Sequence, residues 1–223
     1  MDRAIRRAGR IRPPRVLVTG MGEKAAREGV ERVEPPPAVV VISGCAGALD
    51  ESLGPGDVVV ASEIVDREGR ALSSATGLID AYLAASASAG VTARTGRLLT
   101  SGAVLEPGEK QRLGKQTGAL AVDMETAAIA AWAEASGVPF VAIRAILDSV
   151  ARPVADFGAA IGPAGEIRPV ALLALFCRKP RLVGEVPRLA AARQRCERAL
   201  IAVHTRWLAK ALGCGRRPPP VQH

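Results

Sequence analysis

This sequence predicts an α/β fold, a three-layer α/β/α sandwich around a mostly parallel mixed sheet, and three observations carry that prediction. Short apolar runs alternate with helix-like stretches along most of the chain. Aromatic residues are only 3% of the 223, so Val, Ala and Leu have to build the core, which suits strands buried on both faces. Several apolar runs end in glycine or in a carboxylate, and ligands of open α/β sheets bind at the carboxyl ends of strands. The length suits one domain spanning 1–223, with a basic lead-in at 1–14 and a basic helical segment and tail at 178–223.

In chain order, RVLVTG (Arg15 to Gly20) reads as a buried strand and Gly22 to about Val33 as a helix, stopped by Pro35-Pro36-Pro37. AVVVIS (Ala38 to Ser43) is the next strand. A glycine-rich turn follows at Gly44 to Gly47, then a strand at Asp57 to Val65. Residues 74–90 read as an amphipathic helix, Arg97 to Thr100 as a strand, and the polar Glu106 to Gln116 as a loop with a short helix. Ala151 to Arg168 has Pro, Gly and little periodicity and reads as a flexible loop over the site. Arg168 to about Arg178 and Pro187 to Leu212 read as helices, and RRPPPVQH as a disordered tail.

The stretch Ala119 to Val150 organises the rest. ALAV runs into Asp123-Met124-Glu125, an alanine-rich helix follows, Gly137 and Pro139 punctuate, and VPFVAIRAIL ends on Asp148. Two carboxylate clusters therefore sit just past two buried strands. On residues alone, Asp123 is either a helix N-cap or a site residue, and Asp148 either a turn residue or a site residue. Arg144 lies inside an apolar strand and needs a partner, such as a neighbouring acid.

Composition excludes several classes. Cys45, Cys177, Cys196 and Cys214 show no C-x-x-C spacing and the chain has only two histidines, so no metal site is expected. The start has no secretory apolar block, and VALLALFC is too short to span a bilayer, so a cytoplasmic protein is expected. The net charge of +8 is uneven: six arginines against one acid in residues 1–15, eleven basic against two acidic residues in 178–223, and an acidic middle. Basic ends attract phosphates, on nucleic acid or an anionic membrane, or else form a solvated face. Nucleic acid is the weakest of these, because no reading motif or aromatic stacking platform is present.

The strings VDMETAAIA and VPFVAIRAILD, together with VLVTGMGEKAA, ISGCAGALDESLGPGDVVVASE and TSGAVLEPGEK in that order, resemble the nucleoside phosphorylase/nucleosidase superfamily over roughly Arg15 to Ala151. The tail from GEIRPVALLALF to RCERALIAVH looks like the hopanoid-associated phosphorylase branch, thought to remove adenine from the lipid-linked nucleoside adenosylhopane. The resemblance implies cleavage of a purine N-glycosidic bond by hydrolysis or phosphorolysis. It implies no cofactor, phosphate as a possible co-substrate, a homodimer or higher oligomer, and peripheral contact with an anionic membrane through the basic ends. Asp148 matches the acid that protonates the purine, Glu125 the acceptor of the ribose hydroxyls, and Met124 the residue packed on the sugar. Gly44, Cys45, Ala46 and Gly47 would border the ribose and the nucleophile, and Asp123, a further substrate-binding candidate, stands where relatives often carry Glu.

Departures accompany the match. The family's first strands and early glycine-rich turn have no counterpart before VLVTGMG. Cys45 and Leu147 stand in place of serines, and Ile42 where some phosphorylases have a phosphate-binding arginine. These changes weaken phosphorolysis more than hydrolysis. A methylthioadenosine/S-adenosylhomocysteine nucleosidase-like enzyme and a vestigial nucleoside-binding protein are the alternative readings.

Overall fold

The computed structural model describes residues 14–152 and 168–212. The lead-in, the expected loop over the site and the expected tail fall mainly outside these residues. In order the elements are α1 (Glu23–Val30), β1 (Val40–Ala48), β2 (Val58–Val65), β3 (Ala71–Ser73), α2 (Thr76–Ser88), β4 (Ala93–Thr100) and α3 (Pro107–Thr117). Then come β5 (Ala119–Asp123), α4 (Thr126–Ala135), β6 (Phe140–Asp148), α5 (Pro169–Arg178), a 3-10 turn (Pro180–Glu185) and α6 (Val186–Ala211).

The sheet runs β3-β2-β4-β5-β1-β6, and β2 also pairs with β6, so five strands close on themselves. β1 and β6 are parallel, as are β2 with β4 and β4 with β5. Two antiparallel seams join the parallel sets, β2 with β6 and a short one of β1 with β5, where Gly47 lies opposite Val122 and Ala48 opposite Ala121. The carboxyl ends of β1 and β6 therefore meet those of β4 and β5 at one place. That convergence sets the site.

Alternation along the strands splits the core into two layers. Ile42, Val59, Ala61, Ala142 and Ile146 face α1 and α4, whose alanines let the backbones approach closely. Val58, Val60, Val141, Ile143 and Ala145 face α2 and α6. Helices on both faces of a mixed sheet confirm the expected sandwich.

Three elements differ from expectation. Arg15 to Gly20 forms no strand, and Val16 and Val18 are 87% and 83% exposed. A β-branched run becomes a strand only beside a free sheet edge, and no described strand flanks this one. Conversely, Gly44 to Gly47 is not a turn but the second half of β1, drawn into register with Gly44 opposite Arg144 and Gly47 opposite Asp148 across a bulge. The polar 106–116 segment is a full helix. Glu106 and Glu109 form a reciprocal capping box, Pro107 occupies the first turn, and Gly118 closes the end in a left-handed conformation at φ 65°.

Where α6 docks, His204 bridges two elements, with Nε2 2.8 Å from Ser43 Oγ and Nδ1 3.1 Å from Tyr82 Oη, while Trp207 stacks on the Tyr82 ring. Burial disfavours the imidazolium and lowers the His204 pKa. The unfolded chain then binds the proton more readily, so the stabilisation is complete above the ordinary histidine range and declines as pH drops below about 6.5. Urea unfolding from pH 8 to pH 5 should show this decline, and His204→Gln should flatten it. An unchanged slope in the variant would assign the decline to other groups.

Candidate active site

At the convergence of the strands, Asp148 is the last residue of β6 and is buried. Its Oδ2 lies 2.6 Å from Lys110 Nζ, and this ammonium is 2% exposed. Lys110 is the buried residue of α3, carried inward by an otherwise polar helix. Gly47 completes the contact: a β-carbon there would stand 2.7 Å from Lys110 Nζ and 2.8 Å from Asp148 Oδ1. Only a glycine lets β1 approach both charged groups.

A second buried cluster lies at the end of β5. Asp123 Oδ2 is 2.5 Å from Arg144 Nη2 on β6, and Oδ1 accepts from Thr100 Oγ1 at 2.9 Å and from the Thr126 amide at 3.3 Å. Arg144 also donates to Thr126 Oγ1 through Nη2 at 2.6 Å, and Thr126 Oγ1 donates to Asp123. The partner that Arg144 needs is thus Asp123. The guanidinium lies over Gly44, where a β-carbon would overlap it. This arrangement satisfies a buried charge pair from several directions, which is the condition under which such a pair is tolerated. It ties β4, β5, β6 and the first turn of α4 together.

Glu125 occupies the N-cap position of α4 and is half-buried. Its Oε1 accepts from the Gly22 amide at 2.7 Å, so the turn leading into α1 docks on this carboxylate, and Oε2 lies 3.3 Å from the Met124 amide. Gly22 adopts φ 88°, a conformation glycine takes at little cost. Met124 is half-buried beside it. Ala46 is buried in the layer facing α4, whereas Cys45, next along the strand, is exposed.

The structure therefore brings Gly47 and Asp148 into direct contact and groups Gly44 with Asp123. The sequence reading does not single out Lys110, Thr100 or Thr126. Lys110 lies in a polar helix without apolar periodicity, so nothing local marks its burial. The family model of the phosphorylase superfamily matches residues 7–165, a span holding all these groups. The chain belongs to the phosphorylase superfamily.

Among proteins of known kind, it is 29% identical over 130 residues to 5'-methylthioadenosine/S-adenosylhomocysteine nucleosidase of Staphylococcus aureus, covering 50% of this chain. The match spans 57% of that relative, so the chain covers little more than half the length of the curated proteins it matches. In fold it is similar to the Helicobacter pylori nucleosidase of the same name crystallised with butyl-thio-DADMe-Immucillin-A. The TM-score is 0.60 at 17% identity, over 84% of this chain and 77% of that one. It is also similar to a futalosine hydrolase mutant of Helicobacter pylori, with a TM-score of 0.57 at 19% identity over 61% and 69% of the two chains. These likenesses are of fold.

Proposed function

We propose that this phosphorylase superfamily chain cleaves the N-glycosidic bond of a purine nucleoside, with water as the nucleophile. The observation that carries the reading is the Asp148–Lys110 pair at the meeting of four strand ends, inside a chain whose curated relatives are nucleosidases. Breaking this bond develops positive charge on the sugar and negative charge on the leaving base. Asp148 protonates the purine, and Lys110, hydrogen-bonded to its Oδ2, resupplies the proton. Glu125 accepts the ribose hydroxyls and favours the developing cation, with Met124 packed on the sugar. Gly47 and Ala46 lie along the sugar, and the Asp123–Arg144 cluster holds Glu125 and β6 in place.

The preferred substrate is a lipid-linked adenosine, adenosylhopane, from which adenine is released. The similarity of the tail to the hopanoid-associated branch supports this, as do Arg188, Arg195, Arg198, Arg206 and Lys210, all exposed on α6 and able to face an anionic membrane surface. The test is product analysis by mass spectrometry after incubation with adenosylhopane or methylthioadenosine, with and without phosphate. Free sugar plus adenine is expected, faster from the lipid. A sugar 1-phosphate would replace water by phosphate as the nucleophile, and intact substrates throughout would overturn the reading.

A further inference from the structure

We propose that Ser43, His204 and Tyr82 form a second reactive centre, in which the Ser43 hydroxyl takes the acyl group of a small uncharged ester and passes it to water. The centre lies where α6 docks on β1 and uses none of the groups assigned to nucleoside cleavage. Its two hydrogen bonds stand in series. Ser43 Oγ is 2.8 Å from His204 Nε2, and His204 Nδ1 is 3.1 Å from Tyr82 Oη. A hydroxyl within hydrogen-bond reach of a base, with a third group orienting that base, is the arrangement that activates a serine.

The three groups are held differently. Tyr82 is fully buried, with Trp207 flat against its ring at a centroid distance of 5.0 Å and His204 meeting it edge-on at 5.5 Å. His204 and Trp207 are three residues apart on α6, so the helix and the Tyr82 ring together fix the imidazole. Ser43 is exposed and open to a reagent. Burial lowers the His204 pKa, which leaves the base unprotonated at neutral pH. Burial also pushes the Tyr82 phenol up, so it orients the ring as a neutral partner. The strand supplies donors for a developing oxyanion. The Val40 amide donates to the Pro139 carbonyl at 3.0 Å, on the β6 side. Amides alternate along a strand, so those of Ser43 and Cys45 face the other edge, where β5 pairs only with Gly47 and Ala48. Val41, Leu200 and Trp207, apolar and half-buried in the same layer, suit a short acyl chain.

In the reaction, Ser43 Oγ bonds to the ester carbonyl carbon while its proton moves to His204 Nε2, and the Nδ1 proton stays on its bond to Tyr82 Oη. The bond from that carbon to the alcohol oxygen breaks, and the alcohol leaves with the Nε2 proton. Water then attacks the acylated Ser43 with His204 taking and returning a proton. One ester and one water give one alcohol and one carboxylic acid, and Ser43 is restored.

The test gives the full chain p-nitrophenyl acetate and, separately, a fluorophosphonate probe, whose fluoride Ser43 Oγ would displace. Ester hydrolysis above the buffer rate and a single label on the Ser43 peptide are expected. Ser43→Ala, a change at an exposed position, should abolish both. His204→Gln should slow labelling by about 10²–10⁴-fold, as loss of a general base does. Tyr82→Phe keeps the ring stack and removes an acceptor that favours the imidazolium, so the rising limb of the pH–rate profile should move to lower pH. An unlabelled Ser43, labelling as fast in His204→Gln as in the parent chain, or an unmoved profile in Tyr82→Phe would overturn the proposal. None of these readouts depends on nucleoside cleavage, so the centre stands or falls apart from the proposed activity.

Discussion

Arg144→Met is expected to destabilise the fold by about 3–5 kcal/mol in urea unfolding, because it strands the Asp123 carboxylate in the core without its cation. The remaining donors, Thr100, Thr126 and one amide, do not replace a full charge. Methionine keeps most of the arginine stem's volume, so the loss reports charge rather than a cavity. The double variant Arg144→Met, Asp123→Asn removes the stranded charge and should recover a substantial part of the loss. A cost below about 1 kcal/mol for Arg144→Met would show that the cluster does not hold β4, β5, β6 and α4 together. Gly44→Ala tests the same packing from the β1 side and should destabilise in the same direction, since a β-carbon there would overlap the guanidinium that Asp123 and Thr126 hold in place.

That ion pair was half legible in the sequence. A charged residue inside VPFVAIRAIL announces its need for an acid, but the choice of Asp123 follows from β5 and β6 ending on either side of β1, where Gly44 lets the guanidinium cross. The β5-α4-β6 unit was readable throughout because its apolar runs are long and Gly137 and Pro139 punctuate them. Gly44 to Gly47 misled in the other direction. Glycine and alanine have low strand propensity, yet β6 supplies the pairing, and small residues are what Arg144, Lys110 and Asp148 leave space for. Val16 to Val18 shows the converse, a strong β-former left exposed without a neighbouring strand among the described residues. Propensity describes what a segment tolerates, whereas the sheet edges decide what it becomes. Lys110 was illegible for a related reason: one buried cation on a polar helix breaks no local pattern, and only the carboxylate waiting on β6 accounts for it.

Lys110 and Asp148 give the largest expected effect on activity. Asp148→Asn removes the proposed proton donor while keeping the shape, and adenine release should fall by about 10²–10⁴-fold. The same change leaves the Lys110 ammonium buried beside a neutral amide, so loss of activity alone would confound chemistry with stability. The double variant Asp148→Asn, Lys110→Met separates them. Removing both charges should restore stability, read by urea unfolding, while adenine release stays as low as in Asp148→Asn. If instead activity returns with stability, Asp148 acts only by balancing Lys110, and the proton comes from elsewhere. Lys110→Met alone distinguishes resupply from support. A resupplying lysine should lower kcat and change its pH profile, whereas a purely structural one should lower stability and leave the profile's shape intact. The geometry favours the first outcome, because the 2.6 Å contact and Gly47's missing side chain bring Lys110 Nζ and both Asp148 oxygens to the point where the strand ends meet.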